Sequence, residues 1–336
     1  LEEVVKMIAK IAKLIKKMID GNSLSAYVIF RDPPVIISYF EDFQKNRDDI
    51  LKVFKGRKFH ALFQFGWHRE TKERAEEVRA EAEAVKKISP GAEMIFLCNS
   101  EHEKNLIAAT GLRAEFCHQN AFLDERRYAA LTVTKKYDAV YVARITPFKR
   151  HHLAARINSL LLIGDHTLKE EAHFREIMRV LPNATWKRKV FSNFISKNVC
   201  QASCGLCLSA EEGAMFVSAE YLLSGIPAVS TANIGGRDVL FDKAYVYSAA
   251  DTPESVLQGV EAMKKIKMSP AEIRNATLEK FRPHREKMIE ILQEICDRAG
   301  VKHDVRAEWG RFFVHKFGLR CFNGPIVRMT RILKRA

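Results

Sequence analysis

The chain has 336 residues, too many for one small core and enough for two domains of roughly 150 residues each. With 55 Lys and Arg against 41 Asp and Glu its formal net charge is +14, which points to an acidic partner: a phosphorylated small molecule, anionic lipid or nucleic acid. No run of about 18 uncharged apolar residues occurs, which excludes an apolar membrane-spanning helix; seven cysteines, with no secretory signal in front, imply reduced thiols in a cytosolic setting rather than a disulfide framework.

Residues 1–19 set Leu1, Val4, Ile8, Ile11, Ile15 and Met18 on one helical face with lysines around the rest, and Gly21-Asn22 ends the pattern. Such a helix packs on its own domain or, being basic, lies on an anionic membrane. The first residue is Leu1, which leaves a longer native chain open. Tyr27–Phe30 and Val35–Ile37 are strand-like runs broken by Arg31-Asp32-Pro33-Pro34. Phe59–Phe65 is a third, followed by Gly66-Trp67-His68-Arg69-Glu70 and a charged helix ending near Lys87. Met94–Cys98 is a fourth; Asn99-Ser100 then leads into a helix over 101–109, and Ala114–Cys117 is a last short run. This alternation argues a parallel sheet with helices on its faces. His68 follows directly on a strand, where α/β folds build sites, with His60 and His118 behind it, although a lone histidine is more often structural.

Beyond His118-Gln119-Asn120-Ala121-Phe122 a boundary is placed near Thr134–Tyr137, so the expected domains are 1–135 and 136–300, with a tail over 301–336. Asp138–Ala143 is the first strand of the second domain, and Arg144-Ile145-Thr146-Pro147-Phe148-Lys149 follows its end. Two cations at the carboxyl end of a strand can clamp a diphosphate, Arg forking onto two oxygens and Lys acting as a point charge. The plainer alternative is a basic loop on a basic protein. Leu160–Gly164 with Asp165 is the next strand and turn, and the chain then passes through Asn183–Val190. Cys200-x3-Cys204-x2-Cys207 then has the ligand spacing of radical S-adenosylmethionine iron–sulfur enzymes. Cys207 falls inside an apolar run that reads as a strand, and free cysteine is among the most buried residue types, so small core residues are the first reading and an iron–sulfur enzyme the second.

From Leu206 to Asp242 the chain reads as strand, helix, strand and Gly-rich loop. Ala214, Phe216, Val217, Tyr221 and Leu222 recur at helical spacing, closed by Gly225 and Pro227. Glu212, at the expected helix start, and Glu220 fall on about one face, roughly 12 Å apart along the axis. Free N–H groups at Gly213, Ala214 and Met215 would suit a phosphate. On spacing alone, two solvated acids on an amphipathic helix are the plainer reading. The pattern Ser209-x2-Glu212-Gly213-x6-Glu220-x4-Gly225-x-Pro227, followed by Gly235-Gly236, favours a site. It resembles the donor-site signature of retaining nucleotide-sugar glycosyltransferases of the GT-B type, in particular glycosyltransferase family 4.

The resemblance covers residues 92–290 and is strongest over 138–245. It implies an α/β chain with two doubly wound parallel-sheet, Rossmann-like domains in the GT-B architecture: a shortened N-terminal acceptor-side domain and a nucleotide-sugar donor domain. It implies transfer of a sugar from a nucleotide diphosphate-sugar to a glycan or lipid-linked glycan, with retention, and with neither a metal nor a further cofactor. Arg144 and Lys149 would bind the departing diphosphate, Glu212 the hydroxyls of the transferred sugar and Glu220 the ribose. Gly213, Ala214 and Met215 would complete the donor site, with His68 on the acceptor side near the reacting sugar. The family's opening Gly-rich loop has no counterpart, since residues 27–37 contain no glycine, so a non-catalytic scaffold is a further reading. The tail from Arg306 interleaves aromatic and basic residues, which suits a membrane interface or nucleic acid, while the resemblance implies a C-terminal helix that returns to pack on the first domain, making part of the tail core. The expected location is therefore cytoplasmic, peripheral on the inner face of a membrane, with nucleic acid not expected as a partner.

Overall fold

The computed structural model describes residues 26–188, 190 and 194–318, so the 1–19 helix and the end of the basic tail lie outside the described residues. The described residues form two compact units, one of 26–116 with 288–318 and the other within Cys117–Lys287.

In the first unit β1 (Ala26–Phe30) turns back on β2 (Val35–Tyr39) as an antiparallel pair, with Tyr27 opposite Ile37. The chain then alternates: α1 (Phe40–Val53), β3 (Phe59–Gln64), α2 (Lys72–Ile88), β4 (Ala92–Cys98), α3 (Glu101–Ala108) and β5 (Ala114–Phe116). The hydroxyls of Thr71 and Ser100 start α2 and α3 by accepting the N–H groups of Arg74 and Glu103. Strands β2 to β5 are parallel and lie side by side in sequence order. Right-handed crossovers between consecutive neighbours carry every connecting helix to the same face. There Phe40 and Phe43 of α1, Val78 of α2 and Ile107 of α3 share one core with Ile36, Phe63 and Phe96 of the sheet.

The second unit runs β6 (Tyr137–Val142), β7 (Leu160–Ile163), α4 (Glu171–Val180), β8 (Ala184–Lys187), α5 (Ile195–Val199), β9 (Ala202–Cys207), α6 (Phe216–Leu223), β10 (Ala228–Thr231), β11 (Val246–Ala249) and α7 (Pro253–Met263). Its six strands are parallel in the order β11-β10-β9-β6-β7-β8. From β6 the chain steps outward to β7 and β8, then returns to lay β9 against the other edge of β6. The order therefore reverses between β6 and β9, and in an open α/β sheet that reversal opens a ligand crevice beyond the carboxyl ends of the two strands.

The last long helix, α8 (Pro270–Arg298), begins at a capping box: the Glu272 carboxylate accepts the Ser269 N–H and hydroxyl, both at 2.7 Å. From Met288 onward it counts with the first unit, where Arg113 forks onto Glu294 at 2.7 and 2.6 Å and Arg298 reaches Glu93 at 2.8 Å. In α9 (Trp309–Phe312), Phe312 meets Phe30 edge-on, ring centroids 5.2 Å apart.

Two α/β regions built on parallel sheets are what the sequence led one to expect. The reversal that makes a sheet doubly wound occurs in the second one; in the first, among the described residues, the parallel strands β2 to β5 are added in a single direction. The division of the chain also differs from the expected 135/136. Residues 117–135 are fastened to the second unit: Asn120 Nδ2 donates to the Ala214 carbonyl at 2.7 Å, Tyr128 Oη to Glu220 at 3.1 Å, and Arg285 to the carbonyls of Ala121 and Leu123 at 2.7 and 2.9 Å. Residues 301–318, expected as a separate tail, belong to the first unit.

Candidate active site

The loop leaving β6 makes two short 3-10 turns, Pro147–Lys149 and His151–Ala154, joined at Arg150, whose backbone is left-handed at φ 51°. Underneath, the Tyr141 hydroxyl donates to the Lys149 carbonyl at 2.6 Å. Burial pushes the Tyr141 phenol far above its ordinary pKa, so it remains a donor. The Lys149 ammonium crosses from the end of β6 to pair with the Glu212 carboxylate beyond the end of β9, and it sits 4.9 Å from the Phe148 ring centroid. The two charged side chains are only 12% and 10% exposed. Ser209 Oγ donates to the same Glu212 oxygen at 2.7 Å. A buried pair of this kind adds little net stability after desolvation, but it fixes a cation and an anion in one geometry.

Glu212 is set by the backbone rather than by a helix. Its N–H donates to the Ile234 carbonyl at 3.1 Å, and the Ile234 N–H to the Ala210 carbonyl at 2.8 Å, a parallel bridge between the loops after β9 and β10. The helix consequently begins at Phe216, after a left-handed Met215 at φ 45°. Glu212 thus lies outside α6, and the shared helical face expected for Glu212 and Glu220 does not form. Of the four described non-glycine residues with positive φ, Arg150 and Met215 both border the Lys149–Glu212 pair. Such strain costs about 1–3 kcal/mol per residue and persists where the surroundings enforce it, often at functional sites. The N–H groups of Gly213, Ala214 and Met215 meet no acceptor among the described residues. Glu220 is buried on α6 beside Tyr128.

Arg144 does not join this group. Its guanidinium is 57% exposed and pairs at 2.8 Å with Glu170, whose carboxylate also accepts the Thr167 N–H at 2.7 Å. A cation that does reach the carboxyl ends of β9 and β10 is Arg150, which the sequence reading passed over; its only signal was its place next to Lys149. Arg237, also passed over, is fully buried and donates to the carbonyls of Ser209 and Thr231 and to Ser230 Oγ, tying the loop after Gly235-Gly236 to both strand ends.

His68 lies in the first unit, its ring nitrogens engaged by Arg74 and by the Glu70 N–H. His118 is buried in the second unit; Nε2 donates to the Gly236 carbonyl at 2.8 Å and Nδ1 accepts the Asn120 N–H at 3.2 Å. Nδ1 can accept only in the neutral ring, and burial pushes the pKa down to about 3. Burial lowers His60 as well.

The cysteine triplet does not converge. Cys204 and Cys207 are three residues apart on β9, so their side chains leave opposite faces of the sheet. Cys200 Sγ bonds the Ser224 carbonyl at 3.5 Å, and burial raises all three thiols above their ordinary pKa. Among the described residues no three His, Cys, Asp or Glu side chains cluster as a metal site.

No protein-family model and no curated protein matches the chain. Solved structures do. TarM of S. aureus, in complex with fondaparinux, alpha-GlcNAc-glycerol and UDP, is 14% identical with a TM-score of 0.57, over 79% of this chain and 56% of that one. HepE of Anabaena, in complex with UDP and glucose, is 13% identical with a TM-score of 0.54, over 77% of each chain. The pneumococcal O-GlcNAc transferase GtfA, in complex with UDP and GlcNAc, is 12% identical with a TM-score of 0.52, over 76% of this chain and 54% of that one. In another TarM structure the matched region spans 50% of that protein's length. At these identities the likeness is one of fold.

Proposed function

From the GT-B fold that the chain shares with these structures, we propose that it is a glycosyltransferase of the family 4 type, moving a sugar from a nucleoside diphosphate to a hydroxyl of a glycan or lipid-linked glycan with retention. The observation that carries this reading is the Lys149–Glu212 pair, buried at the strand reversal between the carboxyl ends of β6 and β9. In the reaction the bond from the sugar C1 to the diphosphate oxygen breaks, a bond from the acceptor oxygen to C1 forms, and the acceptor's proton passes to the departing diphosphate. Negative charge grows on the diphosphate while the sugar becomes cation-like, so catalysis is mainly electrostatic.

Lys149 takes the growing charge of the diphosphate, with the open N–H groups of Gly213, Ala214 and Met215 beside it. Glu212, already held by Ser209, accepts from the hydroxyls of the sugar, and Glu220 accepts from the ribose. Arg144 reaches a phosphate only by leaving Glu170, an exposed pair worth little to keep. His68 is assigned to the acceptor side on the resemblance alone. UDP bound in the similar structures supports a uridine donor, with guanosine the other choice. No described helix is long and apolar enough to cross a membrane; the basic composition supports a peripheral, cytoplasmic placement on anionic lipid.

The test is a panel of UDP-, GDP- and ADP-sugars with release of the nucleoside diphosphate as readout. The wild type should release it from at least one donor, and Glu212→Ala should not. Tight nucleotide binding with no release from any donor or acceptor would favour the non-catalytic scaffold.

A further inference from the structure

Lys149 carries the proposed diphosphate contact, yet its neighbour fixes the loop on which it stands. Arg150 is left-handed at φ 51° where the two 3-10 turns meet, a conformation that glycine adopts freely and a long side chain resists. Its side chain is 17% exposed, and all three guanidinium nitrogens are engaged. Nε donates to the Leu208 carbonyl beyond β9 at 2.6 Å, Nη2 to Thr231 Oγ1 at the end of β10 at 2.7 Å, and Nη1 pairs with Asp251 beyond β11 at 2.9 Å. One joint is thereby held at three strand ends, and only a planar fork of donors can make all three bonds at once.

We propose that Arg150 is a positioning residue of the donor site: by tying the joint to the ends of β9 and β10 it keeps Lys149 facing Glu212, and so sets the affinity for the diphosphate without touching it. This rests on the reading of Lys149 given above. Two substitutions separate position from charge and from folding. Arg150→Gly removes the anchor while relieving the left-handed strain, which offsets part of the three lost bonds, and its melting curve shows that the variant is folded when its affinity is read. Arg150→Lys keeps the positive charge but cannot reach three partners.

The experiment is calorimetric titration with UDP and GDP, and with UMP and GMP, alongside melting curves. Both variants should bind the preferred diphosphate about tenfold more weakly, the loss expected when one charged contact is misplaced, with the monophosphate affinity changed much less. Wild-type diphosphate affinity in Arg150→Gly, or full retention in Arg150→Lys, overturns the inference. A wild type that binds neither diphosphate contradicts the donor-site reading itself.

Discussion

The His151 ring is 1% exposed, packs 4.8 Å from Tyr141, and has no hydrogen-bond partner for either nitrogen among the described residues. Burial, reinforced by the nearby Lys149 ammonium, holds its pKa down to about 3, and His118 is held equally low by burial. Both folded values lie below the unfolded value near 6.5. Each neutral ring therefore contributes stability that is complete above pH 6.5 and is lost as pH falls toward 3, at up to about 1.4 kcal/mol per pH unit. Denaturant unfolding between pH 7 and 4 should show this decline. His151→Leu should remove its share of the slope, leaving that of His118, and, by removing two unsatisfied buried nitrogens, add about 1–3 kcal/mol at neutral pH. An unchanged acid slope in that variant contradicts the assignment.

At the scale of elements, the contact of β9 with α6 positions the helix that carries Glu220. Gly205 lies under the buried Tyr221 ring; a Cβ there would come within 2.2 Å of Tyr221 Cδ2, and the Tyr221 hydroxyl is itself pinned by the Val142 N–H at 2.7 Å. Gly205→Ala should therefore cost about 1–3 kcal/mol by overpacking and displace Glu220, which a lowered melting point together with weaker nucleotide binding would reveal. If the variant melts and binds like the wild type, the helix is not set by this contact.

The same scale shows what could be read in advance. The strands of the first unit from Tyr27 to Cys117, the first strand of the second at Asp138–Ala143 and the landmarks around Glu212 and Glu220 are local patterns, visible wherever period and glycine coincide. The start of α6 was not legible, because the Glu212 backbone bonds to Ile234 in another loop. Nor was the outward turn of Arg144, which depends on Glu170, or the attachment of residues 117–135, which carry no change of composition and are claimed by Ala214, Glu220 and Arg285. Where a partner lies far along the chain, spacing is silent.

For the whole molecule, a charge of +14 predicts attraction to acidic surfaces. If the protein works on anionic membranes, co-sedimentation with acidic vesicles should be strong at low salt and weaken steeply as salt rises, since each Lys or Arg near the surface contributes about 1 kcal/mol of screened attraction. No binding at low salt removes the membrane partner and leaves the donor site untouched.

The donor site is tested most directly by thermal shift with UDP and GDP across the wild type, Lys149→Ala and Glu212→Ala. At a hundredfold over its dissociation constant the right diphosphate adds about 2.7 kcal/mol, raising the midpoint by roughly 2–4 °C per kcal/mol. Lys149→Ala should lose most of that shift, because the diphosphate loses its buried countercharge. Glu212→Ala should keep it or enlarge it, because Lys149 is released from its carboxylate while only the sugar loses a contact. A Glu212→Ala protein that loses the nucleotide as completely as Lys149→Ala, or a wild type stabilised by neither diphosphate, would contradict the account.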